Sequence, residues 1–283
     1  MNKDWKIIKN QKNLRTLMVI GLTAVLLLLL GYAGSSRSGK LAKEEMLQSP
    51  EALAEESSEE EPDTEVSLTL EDKEFLKGLT ERFNEGDLEG AARLLSGYEI
   101  PWKEFPCMYD GNALRTELTA GRGLVFLKTS TVFYGDFKDG VPNGTCTALQ
   151  VISLEEGKRY DYSYGTWVNG KMNGSGASGY NYYDGVGEEI NKLSAKEGVF
   201  KDDRMEGEVT YTSTNAAGEK AEWRLMTADG RIVLDDRWIR DVDSSGTTTY
   251  KLMANDENNH AYTLSEADLQ EDRWKNFIGF DLD

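Results

Sequence analysis

A glycine–aromatic pattern recurs along the middle of this chain and constrains its fold more than any other feature. It first reads Phe133-Tyr134-Gly135-Asp136-Phe137-Lys138-Asp139-Gly140, followed by Asn143-Gly144. It returns as Ser163-Tyr164-Gly165-Thr166-Trp167-Val168-Asn169-Gly170, followed by Asn173-Gly174-Ser175-Gly176. A worn third copy holds Gly198, Phe200 and Gly207, with Asp203 where the turn glycine stands in the others. Each copy has glycine, an aromatic two residues later and glycine nine residues later. An internal period of this kind means stacked copies of one supersecondary unit, none able to bury its own apolar face alone.

The surrounding residues make that unit a β-hairpin. From about 108 to 254 the segments are short, aromatic and β-branched, as in Gly123-Leu124-Val125-Phe126 and Val209-Thr210-Tyr211-Thr212. Glycine pairs and Asn-Gly dipeptides separate them, and Asn-Gly favours tight hairpin turns because both central positions need positive φ. Gly140 and Gly170 suit such positions. Phe137, Trp167 and Phe200 should form a ladder on one face, each covering a neighbour's glycine.

The spacing Tyr/Phe-x-Gly-x-Trp/Phe-x-x-Gly-x-x-x-Gly resembles the membrane occupation and recognition nexus (MORN) repeat, in a bacterial-type, membrane-anchored setting. The residues that carry the resemblance are Gly135, Phe137, Gly140 and Gly144, then Gly165, Trp167, Gly170, Gly174 and Gly176, then Gly198, Phe200 and Gly207. Copy one departs from it with Phe137 for tryptophan and Cys146 for the final glycine; copy two has Ser163 for the leading aromatic. A poorer copy starts at Gly111, and one near Trp223 and Gly230 is too degraded to count. First glycines at 111, 135, 165 and 198 are spaced increasingly widely, which implies lengthened loops after 144 and 176. The resemblance implies an elongated antiparallel hairpin sheet with a scaffold or recognition role, no catalytic residues and no cofactor.

Before the repeats, residues 16–36 form an uncharged run centred on Leu26-Leu27-Leu28-Leu29-Leu30. About 20 apolar residues at roughly 1.5 Å each span a hydrocarbon core of about 30 Å. Lys3, Lys6, Lys9, Lys12 and Arg15 precede the run, against Arg37, Lys40 and Lys43 behind it, so residues 1–15 should be cytoplasmic and the rest extracytoplasmic. The competing reading is a cleaved signal peptide with small residues at Gly31 and Ala33, releasing a secreted protein. Residues 37–67 read as an acidic, disordered stalk rich in Glu and Ser.

Residues 68–107 then read as a helical hairpin. Thr69 and Asp72 form a capping box, Phe75, Leu76, Leu79 and Phe83 make one apolar face, Gly86 interrupts, and Asp87 caps a second helix. Residues 108–254 are the repeat region, and residues 255–283 read as a closing helix capped by Ser265 and Asp268.

Charge excludes some functions. Residues 1–36 hold five Lys/Arg and one Asp, so of 32 cations and 50 anions in the chain 27 and 49 lie beyond them, a formal −22. Nucleic-acid binding needs a basic footprint that is absent here. Two distant cysteines and the single histidine, His260, cannot build a closed zinc site. Cys107 and Cys146 could instead pair in an oxidising exterior, or be buried thiols.

No Gly-x-Ser-x-Gly elbow is present. The acidic pairs Glu188-Glu189, Asp202-Asp203 and Asp235-Asp236 are too ordinary in so acidic a chain to indicate a hydrolase. The sequence therefore predicts a mainly β, single-pass membrane protein that contacts a protein partner without enzymatic activity. Its alternative is polysaccharide binding through the aromatic row, with a secreted hydrolase third.

Overall fold

The computed structural model describes residues 65–128, 130–184, 189–254 and 260–282. Two helices, α1 (Leu70–Glu85) and α2 (Leu88–Gly97), precede a meander of antiparallel strands. The first strands are short: β1 (Glu65–Val66), β2 (Cys107–Tyr109), β3 (Leu114–Arg115) and β4 (Gly121–Leu127). The repeats supply β5 (Thr131–Lys138), β6 (Val141–Leu154), β7 (Gly157–Val168), β8 (Lys171–Asp184), β9 (Glu189–Lys201) and β10 (Arg204–Thr214). With β11 (Lys220–Ala228) and β12 (Arg231–Val233) they make one 12-stranded sheet, ordered β1-β3-β2-β4 and then strictly sequential to β12. A three-stranded sheet follows, of β13 (Ile239–Val242), β14 (Thr248–Met253) and β15 (Ala261–Ser265).

The helical pair forms for the reasons its sequence supplies. Thr69 and Asp72 bond each other's backbone in a reciprocal cap, Gly86 ends α1 in the left-handed conformation, and the Asp87 side chain accepts from Gly90 N–H. Phe75, Leu76, Leu79, Phe83, Ala91 and Ala92 then pack on Leu124, Phe126, Val132, Tyr134 and Leu149 of the sheet. Alternation along the strands sends the intervening residues to the opposite face. There Phe133, Phe137, Trp167, Phe200, Met205 and Leu225 form a second core. The sheet is thus a middle layer, covered on one face by helices and on the other by the small sheet and the C-terminal segment.

Several expectations change here. The anchor at 16–36 lies outside the described residues, and among those described no helix is long and apolar enough to cross a membrane. Glu65 and Val66, read as stalk, form edge strand β1 against Arg115 and Leu114.

The closing helix over 255–283 is also corrected. Ser265 and Asp268 do bond each other's backbone N–H reciprocally, but only a three-residue 3-10 turn follows, Asp268–Gln270, with Ala267 at its N-cap. Beyond it the backbone is committed to the main sheet. Trp274 N–H donates to Gly230 O, Met205 N–H to Trp274 O, and Asn276 N–H to Asp203 O. A helix would need those same groups for its own ladder.

The hairpin turns at Gly140 and Gly170 fall where expected, with Asp203 in the same place in copy three, but the other Asn-Gly pairs do not turn. Asn143-Gly144 and Asn173-Gly174 lie inside β6 and β8. The turns are Asp139-Gly140, Asn169-Gly170, Asp202-Asp203 and Asp229-Gly230, each with two positive φ values. The added length of later repeats lies in longer strands: β6 and β7 run 14 and 12 residues to a tight turn at Glu155-Glu156, so no loop is lengthened there.

Candidate functional site

The repeat residues converge on two lines across the sheet. Successive backbone partners run Gly123, Gly135, Cys146, Gly165, Gly176 and Gly198, one residue per strand from β4 to β9. Cys146 is the one residue with a side chain in this line, and its Sγ lies against Gly135. A Cβ on Gly165 would stand 2.5 Å from Ser175 O and 2.6 Å from Gly176 Cα, so that position requires glycine.

The second line pairs each aromatic with a glycine of the preceding hairpin. Gly121 faces Phe137, Gly144 faces Trp167 and Gly174 faces Phe200. Gly207 faces Thr227, which marks the hairpin around Gly230 as a fourth copy that has lost its aromatic.

Between the two lines every hairpin carries the same irregularity. Asp136 stands opposite three residues (143–145), Thr166 opposite 173–175, and Gly198, one position earlier, opposite 207–209. Adjacent hairpins are tied at their turns by an equivalent bond: Gly170 N–H to Pro142 O, Asp203 N–H to Met172 O, and Gly230 N–H to Met205 O. Asp203 compensates for its missing glycine freedom, because its carboxylate also accepts from Met172 N–H at 2.9 Å.

Phe137, Trp167 and Phe200 are 4%, 1% and 1% exposed. The C-terminal strap covers this face. Phe280 packs edge-on to Phe133 at 5.1 Å and lies 6.2 Å from Phe137. The buried Asn276 receives the Ser163 hydroxyl, while its amide donates to Asp203 Oδ1 and Ile278 O. Phe277 N–H donates to the Ser178 hydroxyl. Buried, the ladder offers no stacking surface for sugars, which removes the polysaccharide reading in the form the sequence suggested.

Cys107 and Cys146 are free and buried, and they belong to opposite cores, Cys107 facing the helices and Cys146 the strap. The sheet itself separates them, so of the two readings the buried thiols hold and the disulfide does not form. Burial pushes both thiols up to about 12.

At the strap's crossing of β8–β10 the structure holds a buried cation the sequence reading passed over. Lys196 is 6% exposed, donates to Arg273 O at 2.6 Å, and lies 4.0 Å from the Phe277 ring centroid and 5.2 Å from that of Trp274. Burial, then the neighbouring Arg273 and Lys275 charges, lower its pKa to about 7. Strand alternation could have located it, because Lys196 shares the parity of Phe200. Among the described residues no group of three or more His, Cys, Asp and Glu is placed to hold a metal. His260 uses its carbonyl structurally, accepting from Ala254 N–H and Trp223 Nε1.

The helical face is open beyond α2. Tyr164, Ala177, Glu197, Thr210 and Arg224 are successive partners across β7–β11, beside a second row of Tyr162, Gly179, Ala195, Thr212 and Glu222. Small residues around Glu197 floor a trough bounded by two stacked tyrosines at one end and a charged pair at the other. Tyr164 and Val199 are 41% and 48% exposed.

Architecture and lines together define a hairpin-repeat scaffold whose repeats are joined strand to strand. The family model of the MORN repeat matches residues 133–148 and 164–177. The chain therefore carries MORN repeats over those residues, with further hairpins of the same geometry on both sides of the matched pair. No curated protein matches it.

Proposed function

We propose that this MORN repeat protein is a non-enzymatic scaffold, held on the outer face of the cell membrane by the 16–36 run, that binds a protein partner through the open trough on its helical face. The trough is the observation that carries the reading. Its face is continuous over five strands, holds small residues around a single central Glu197 and is lined by exposed Tyr164 and Val199, while the opposite face is filled by the chain's own strap. An apolar, aromatic-edged patch with a charged rim has the character of a protein interface. The basic leader and acidic remainder support the orientation.

Crosslinking of the full-length protein in its own cell, from a photoreactive residue at position 164 and from a control at exposed Glu155, tests it. A partner captured from 164 alone supports the reading. Equal capture from both positions, or none, refutes the trough as the interface.

A further inference from the structure

The cavity around Lys196 has about 460 Å³ and lies between β8–β10, β15 and the strap, on the face opposite the trough. Sites for small ligands are commonly about 300–1,000 Å³, mostly apolar, with a few convergent polar groups. Here the walls are aromatic. Tyr180 and Phe277 are 6.4 Å apart at one side, and Tyr211, Tyr262 and Trp274 contact one another at the other.

The cation in this cavity lacks a counter-ion. Lys196 makes one hydrogen bond, to a backbone carbonyl, and two ring contacts. An ammonium has three donors. Of the nearby acids, Asp268 and Glu271 pair with Arg273, and Asp272 pairs through Oδ2 with Arg204 and Lys275 while its buried Oδ1 makes no hydrogen bond; none of them bonds Lys196. Lys192, also lining the cavity, adds another positive charge. A buried charge without a partner is costly, and an incoming anion would relieve that cost.

We propose that this cavity binds a small carboxylate with a flat apolar body, its carboxylate against Lys196 Nζ and its body between the aromatic walls. The cavity's size and its single buried cation favour one compact monoanion. The lowered basicity of Lys196 adds a consequence: binding takes up a proton near neutral pH, so affinity falls as the solution becomes more alkaline. The groups that face it in this respect are Lys192, Arg273, Lys275, Asp272 and the tyrosines 180, 211 and 262.

The test uses the full-length protein with sodium benzoate as probe, and benzamide and sodium acetate as controls that keep only the ring or only the charge. Mass spectrometry follows acylation of Lys196 by an amine-selective reagent. Benzoate is expected to slow that acylation at least about tenfold, with little effect from either control, and calorimetry should lose the benzoate signal in Lys196→Met. A Lys201→Gln variant, altered at an exposed lysine outside the cavity, is expected to keep the binding, and a thermal melt of Lys196→Met guards against its misfolding. No protection by benzoate, equal protection by benzamide, or undiminished benzoate binding in a folded Lys196→Met protein would overturn the proposal.

Discussion

Trp167 stands directly opposite Gly144 of the preceding hairpin and donates its indole N–H to Cys146 O at 3.1 Å. The ring's one polar atom is thereby satisfied by the neighbouring strand. Gly144 is required for another reason: its φ is +132°, and a Cβ there would stand 2.9 Å from Asp136 Cβ. Replacing Trp167 by Ala empties a fully buried site and should cost about 3–5 kcal/mol. Urea denaturation of the full-length protein measures it; a loss under about 1 kcal/mol would mean that the ladder is not a main source of sheet stability.

Gly165→Ala should be severely destabilising, by more than about 2 kcal/mol, because its Cβ would meet backbone on the adjacent strand and its φ is +148°. Gly97→Ala, where a Cβ meets nothing within 4 Å, is the control and should be near neutral. Equal midpoints for the two variants would contradict close strand approach along the glycine line.

Lys196 predicts an unusual pH dependence. Its folded pKa, about 7, lies below the unfolded 10.5, so between these values the unfolded chain holds more protons than the folded one. Stability from this group therefore rises with pH across that window, and its penalty is complete below about 7. Compared with Lys196→Met, the wild type should gain relative stability between pH 7 and 10. A flat difference in parallel thermal melts at several pH values would rule this out.

The strap should be integral to the fold. Asn276→Ala leaves the Ser163 hydroxyl and Asp203 carboxylate short of a buried partner and should cost about 1–3 kcal/mol. Removing residues 272–283 uncovers Phe133, Phe137 and their neighbours, and should raise binding of a hydrophobic dye. Unchanged dye binding after truncation would mean that the strap does not cover the ladder.

The two thiols should be silent in the folded protein. Buried, on opposite faces and pushed up to about 12, Cys107 and Cys146 should resist a thiol reagent at pH 8 and both react after denaturation. A disulfide found by non-reducing mass mapping would contradict this arrangement.

Much of the fold was legible because its signals are local. Thr69, Asp72, Gly86 and Asp87 specify the helical hairpin through neighbours three or fewer residues away. The glycine–aromatic spacing specified β-hairpins for the same reason. What was misread depends on distant contacts. Asn143-Gly144 has the composition of a turn as Asp139-Gly140 and Asn169-Gly170 do, yet only the latter two turn, because cross-strand register places 144 opposite Trp167. Ser265 and Asp268 carry a helix cap, but Trp274 and Asn276 find better partners on the sheet than along a helix.

By itself the sequence determined the repeating unit, its number of strongly marked copies and the acidic balance, since these follow from periodicity and charge. Only the tertiary structure decided which faces are covered, that Cys107 and Cys146 lie on opposite faces, and that Lys196 is a buried cation without an acid beside it. The two cysteines are separated by strand register, while the covering of the aromatic ladder and of Lys196 depends on where residues 272–282 cross the sheet. That crossing is set by hydrogen bonds and ring contacts between segments up to 147 residues apart, from Phe133 to Phe280, which no local pattern encodes.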